Sequence, residues 1–177
     1  LFVPEAGNHR VSVFNLDGSF AFTFGELGDG PGQLNNPESA KFNSAGVMYV
    51  ADLNNNRVVA YNAEGEVQFE FGEAGSAPGQ LARPAGIGFD AHDNVYVSEM
   101  GNDRVSVFTP AGEYITSFGE AGSGDGQFGN LHGMIVNAET GLIYVAAFAC
   151  FAVTFQAASG EPTSVELNER LFWGGGH

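Results

Sequence analysis

Apolar and polar residues alternate along this chain in short runs, and the runs come in sets of four. In the clearest set the first run is A-G-I-G-F-D from Ala85 and the second is V-Y-V-S-E from Val95. The third is R-V-S-V-F-T from Arg104 and the fourth is E-Y-I-T-S-F from Glu113. A period of two, rich in β-branched and aromatic residues, predicts strands. The turns between them fall at His92-Asp93-Asn94 and Pro110-Ala111-Gly112. Glycine stands before the fourth strand of each set, at Gly18, Gly65, Gly112 and Gly160, where a tight hairpin turn needs a positive φ. No helical period competes, so the chain is expected to be all-β.

The sets are copies of one another. V-M-Y-V-A-D-L-N-N-N-R-V-V-A-Y from Val47 returns as V-Y-V-S-E-M-G-N-D-R-V-S-V-F from Val95, and L-F-V-P-E-A-G-N-H-R-V-S-V-F opens the chain. Arg10, Arg57 and Arg104 keep a step of 47, as do Asn8, Asn55 and Asn102, and Gln33, Gln80 and Gln127. Four antiparallel strands repeating at this period predict the blades of a β-propeller. Phe20, Phe22 and Phe24, like Phe69 and Phe71, alternate along the outer strand and are expected to pack between blades.

The whole chain, 1–177, reads as a single propeller arc of about 3.75 blades. Its first blade is partial (1–37), the second and third are complete (38–84 and 85–131), and the fourth is degenerate (132–170). A tail follows at 171–177. The fourth blade gains one residue in its first hairpin, between Asn137 and Gly141, and its last strand, Pro162 to Leu167, is poorly patterned. The tail ends Gly174-Gly175-Gly176-His177, which suits a linker. Six blades at this period need about 280 residues. The ring is therefore expected to be incomplete, and to be finished by further blades or by another chain.

Charge narrows the partners. Twenty-one acidic residues stand against six basic ones, a net charge of −15. Lys41, Arg83 and Arg170 are the only bases outside the repeat arginines. A phosphate backbone needs several free Lys or Arg on one surface, so nucleic acid is excluded as a partner. No apolar run approaches the roughly 18 residues that direct membrane insertion requires. Such acidity suits a secreted or periplasmic protein and serves solubility. The single cysteine, Cys150, excludes an internal disulfide and, within A-A-F-A-C-F-A-V, reads as a buried thiol.

The most specific motif is an acid, four residues, then an arginine: Glu5 and Arg10, Asp52 and Arg57, Glu99 and Arg104. The acid ends the second strand and the arginine begins the third, so the turn between them brings a carboxylate to a guanidinium. The Asn two residues before the arginine can close that turn on nearby backbone and tolerates left-handed geometry. In the fourth repeat these positions become Ala147, Cys150 and Ala152. Acid and base vanish together, as expected of a structural pair in which either charge alone is costly to bury.

Tyr49-Val50-Ala51-Asp52, Asn55, Arg57, Gly65, Phe71-Gly72 and Gly79-Gln80-Leu81 resemble the NHL repeat. The resemblance implies a β-propeller, commonly of six blades, and is specific to the repeat rather than to a function. It covers three repeats strongly and the fourth weakly. The connectors Gly25 to Gln33, Gly72 to Gln80 and Gly119 to Gln127 lack the helix and lysine of a phosphate cradle, and read as blade-to-blade crossovers. In them the glutamines are placed to satisfy backbone groups.

His132 opens an inner strand near the propeller axis, and in this it is similar to the amidating lyases, whose propellers hold zinc on channel histidines. Glu38 and Ala85 occupy the equivalent positions, so His132 is a weak metal candidate, and a zinc site needs three or four ligands. No catalytic or cofactor-binding residue stands out. Two functions follow as expectations. One is a non-enzymatic interaction or scaffold module with protein partners. The other is part of a propeller lyase or hydrolase with a metal in its channel.

Overall fold

The computed structural model describes residues 1–129 and 131–147. Within them the chain forms thirteen strands in four antiparallel sheets. The first sheet holds β1 (Phe2–Glu5), β2 (Arg10–Phe14) and β3 (Phe20–Phe24). The second holds β4 (Pro37–Phe42), β5 (Met48–Asp52), β6 (Arg57–Tyr61) and β7 (Val67–Phe71). The third holds β8 (Pro84–Phe89), β9 (Val95–Glu99), β10 (Arg104–Phe108) and β11 (Tyr114–Phe118). The last described strands, β12 (Leu131–Asn137) and β13 (Leu142–Ala147), pair with each other. The fold is all-β, a β-propeller arc of four-stranded antiparallel blades. Gly160, the strand expected from Pro162, Cys150, Ala152 and the tail lie outside the described residues.

Each sheet is a simple meander, because the turns between its strands are short and carry the required residues. Gly18, Gly65 and Gly112 take φ of 85°, 83° and 86°, as their hairpins demand. The turn from acid to arginine is more particular than a plain hairpin. A single 3-10 turn, Ala6–Asn8 in the first sheet and Leu53–Asn55 in the second, is followed by one left-handed residue. That residue is His9, Asn56 or Asp103, one position beyond the recurring Asn. The geometry attributed to the Asn thus falls on its neighbour.

The core lies between blades. Tyr49, Ala51, Val58 and Ala60 of the second sheet meet Leu81, Ile87, Val95, Val97 and Phe108 across the second interface. Val11 and Leu34 meet Met48, Val50, Val59 and Tyr61 across the first. Strand periodicity makes this possible: successive residues face opposite neighbours, so both faces of a middle strand are apolar. β5 and β6 are buried along their whole length. The outer strands supply aromatic lids. Phe24 stands 4.9 Å from Tyr61 and Phe71 stands 4.8 Å from Phe108, centroid to centroid.

Candidate functional site

Two groups of polar residues recur at equivalent places in the blades. The first is the acid–arginine turn. Asp52 Oδ2 accepts from Arg57 Nε at 3.0 Å and from Asn55 Nδ2 at 2.8 Å. Glu99 Oε1 accepts from Arg104 Nε at 2.7 Å, and Glu99 Oε2 from Asn102 Nδ2 at 2.6 Å. Glu5 Oε1 accepts from Arg10 Nε at 3.0 Å, and Asn8 also donates to Glu5. In each turn the three residues come together around the carboxylate.

The guanidinium does more than hold its acid. Arg57 Nη1 donates to Asp29 O at 2.9 Å, and Nη2 to Gly30 O at 3.0 Å and Gln33 O at 2.9 Å. Those carbonyls belong to the connector entering the second blade. Arg104 repeats the pattern on Ser76 O, Ala77 O and Gln80 O at 2.7, 3.4 and 2.9 Å. The Asn amides complete the grip on Gly28 O at 2.8 Å and Gly75 O at 3.0 Å. The acids in turn accept from the connector's end, Asp52 from Asn35 N at 2.6 Å and Glu99 from Ala82 N at 2.9 Å. The second and third turns are therefore latches on the connectors that precede them.

The connector is shaped for this by its glutamine. Gln33 Oε1 accepts from Gly30 N at 3.0 Å while its amide donates to Glu26 Oε1 at 3.0 Å. Gln80 does the same with Ala77 N and Glu73, and Gln127 with Gly124 N and Glu120. A Cβ at Gly28, Gly75 or Gly122 would stand 2.1 Å from the glutamine carbonyl oxygen. Only glycine lets the loop fold this tightly around the amide.

Burial separates the latches. The Asp52 and Arg57 side chains are 0% and 9% exposed, whereas those of Glu5 and Arg10 are 24% and 43% exposed. Burial pushes the Asp52 carboxyl above the usual carboxylate range, against the pull of Asn35 N–H, Asn55 and Arg57. Glu5 moves the other way, down to about 2, because Ser12, Asn8 and Arg10 all donate to it. One participant went unread in the sequence. Ser106 Oγ donates to Glu99 Oε1 at 2.6 Å, and Ser12 donates likewise to Glu5. Where the acid is the shorter Asp52, the serine position is Val59. The signal was present: serine accompanies glutamate and valine accompanies aspartate.

The second group lies on β4, β8 and β12, the first strands of successive blades, which meet one another. Each inner strand bulges after its first residue or two, between Pro37 and Ser39, Pro84 and Gly86, and Leu131 and Gly133. The residues left over are Glu38, Ala85 and His132. A bulge re-aims the side chain it carries, and here His132 Nε2 comes to 4.0 Å from Glu38 Oε2. Asn36 Nδ2 donates to Glu38 Oε1 at 3.2 Å. Lys41 Nζ reaches across to Met134 O at 3.5 Å, and burial pushes its pKa down. Among the described residues no three His, Cys, Asp or Glu side chains gather closely enough for a metal ion. With Ala85 supplying no donor, the described residues do not fit the three- or four-ligand zinc site of the lyase resemblance.

These sheets, their connectors and their latches define a β-propeller. Residues 80–166 match a family model described as 6-bladed beta-propeller. No curated protein matches the sequence. Among solved structures, a propeller in a nidogen/laminin complex is similar over 83% of this chain and 51% of its own, with 18% identity and a TM-score of 0.65. A catalytically inactive virginiamycin B lyase from Staphylococcus aureus, solved with quinupristin, is similar over 84% of this chain and 52% of its own, with 17% identity and a TM-score of 0.56. A protein from Bacteroides caccae matches 84% of this chain and 50% of its own, with 15% identity and a TM-score of 0.59. The chain spans about half the length of these structures, and at such identities the likeness is one of fold.

Proposed function

We propose that this chain is a non-enzymatic interaction or scaffold segment of an NHL-type β-propeller, part of a larger propeller or multi-chain assembly with protein partners. The observation that carries this reading is where the recurring charged residues are spent. Asp52, Arg57, Glu99 and Arg104 bond one another and the connectors, so they serve rigidity. A rigid β-scaffold presents its loops for binding. The nidogen/laminin complex supports this use for a similar fold. Residues 1–37, 38–84, 85–131 and 132–170 are the blade units of the reading, and the pairs Glu5–Arg10, Asp52–Arg57 and Glu99–Arg104 have structural roles in it.

A second reading rests on the approach of His132 to Glu38 and on the likeness to a lyase. It makes the chain part of a propeller lyase or hydrolase whose remaining ligands come from other blades. Native mass spectrometry with metal analysis of the purified protein separates the two. The interaction reading expects protein complexes without a stoichiometric metal. Zinc or calcium at one equivalent, lost in His132→Ala and Glu38→Gln, would replace it with the lyase reading.

A further inference from the structure

Lys41 is the chain's one lysine, and its charge is spent differently from that of the repeat arginines. Arg10, Arg57 and Arg104 each pair with the acid of their own turn. Lys41 lies half-buried on β4, and among the described residues its Nζ has one partner, Met134 O of β12 at 3.5 Å. That is long for a hydrogen bond, so most of the amine's bonding capacity is unspent. Burial pushes its pKa down, and no carboxylate acts against that push. Buried cations normally come with an acidic partner. In a chain of 21 acidic residues, this one has none among the described residues.

The neighbouring strands account for this placement. One and two repeats on, the position of Lys41 is held by Gly88 and Ile135, so the amine is particular to the second blade. β8 also carries Gly86. A Cβ on Gly86 would stand 3.0 Å from Met134 N, and one on Gly88 would stand 2.6 Å from Val136 Cγ2. β12 is thus drawn in against β8, and Met134 O comes within reach of a long side chain from β4. Glu38 and His132, which approach to 4.0 Å, belong to the same two strands. An amine, a carboxylate and an imidazole therefore share one strip of β4 and β12.

We propose that Lys41 is a nucleophilic amine that captures small uncharged aldehydes and ketones as an imine. A partly desolvated lysine without a counter-ion is the group such a step uses. The Nζ lone pair attacks the carbonyl carbon, and a C–N bond forms. The carbonyl oxygen then leaves as water with both hydrogens of the neutral amine, and the C=N bond remains. Nothing is oxidised or reduced, and water reverses the step. Electrostatics select the uncharged class. An anionic keto acid would meet a net charge of −15 and Glu38, three residues from Lys41 on β4, and one ammonium does not offset that repulsion. Such capture needs neither a metal nor a protein partner.

The probe is propanal with cyanoborohydride, which reduces the imine to a stable secondary amine, added to the full 177-residue protein at neutral pH. Because Lys41 is the one lysine, peptide mass mapping separates its label from that of the amino terminus. Nα-acetyl-lysine amide in the same solution supplies the reference rate. Lys41 is expected to be alkylated about fivefold or more faster than the reference, and unfolding the chain in urea is expected to abolish the difference. Glyoxylate, an anionic probe, is expected to show a smaller advantage than propanal. A propanal rate on the folded protein no faster than the reference overturns the proposal and leaves Lys41 a strut between β4 and β12. An advantage larger for glyoxylate than for propanal overturns the uncharged class and makes the site one for anions. The scaffold and lyase readings are judged on complexes and metal content, so they stand or fall separately.

Discussion

Phe24 packs over Gly65 of the next blade so closely that a Cβ there would stand 2.6 Å from the ring. The glycine answers two demands at once, a φ of 83° for its hairpin and clearance for a neighbouring aromatic. Gly18 meets the first demand alone, with a φ of 85° and open space.

The two glycines therefore separate strain from packing. Gly18→Ala is expected to cost about 1–2 kcal/mol, the scale of forcing a left-handed alanine. Gly65→Ala adds an overpacking cost of about 1–3 kcal/mol. Urea denaturation of both variants checks the difference, and equal midpoints would contradict the account of the interface.

Latches of one design are expected to differ in weight. Arg57→Ala strands a buried Asp52 and three connector carbonyls, and should cost about 3–5 kcal/mol. Arg10→Ala removes a guanidinium whose side chain is 43% exposed, and should cost at most about 1 kcal/mol. Thermal and chemical unfolding of the two variants, side by side, give the comparison.

Glu5 makes stability depend on acidity. Its folded pKa, about 2, lies below the 4.5 of a free glutamate, so the unfolded state takes up its proton first. The resulting stabilisation is fully present above about pH 4.5 and disappears as pH falls toward 2. The gap between wild type and Glu5→Gln is expected to be constant from pH 5 to 7 and to close on acidification. A gap that persists at pH 2 would contradict the assignment.

Serine and acid length are expected to be coupled. Ser106→Val removes a donor from buried Glu99 and should cost about 1–3 kcal/mol. Adding Glu99→Asp rebuilds the pairing found at Asp52 and Val59, and should recover part of that loss. A double-mutant cycle measures the coupling, and strictly additive losses would contradict it.

Much of the architecture was legible because repetition aligns the chain with itself. Strand alternation, Gly18, Gly65 and Gly112, and the step of 47 between Arg10, Arg57 and Arg104 are all local signals. The latch on the connector was not, since Arg57 and Gly30 sit in different repeats and backbone carbonyls carry no sequence signature. The bulges that turn Glu38 and His132 toward each other were hidden for a related reason. A single extra residue, shared by every inner strand, leaves the period unchanged. Ser12 and Ser106 were readable only by setting them against Val59 and asking why the acid had shortened.

The latch divides each joint between two blades: one offers a loop of carbonyls forward, and the next reaches back with a fork of donors. A unit built as the second and third blades are fits a duplicate of itself, whereas the fourth repeat, with Ala147 and Ala152 at the acid and arginine positions, departs from the design. Such a gene segment can be copied or deleted in multiples of 47 codons while every seam still fits. What limits the number of copies is then the angle through which each wedge turns, because the seams themselves impose no count.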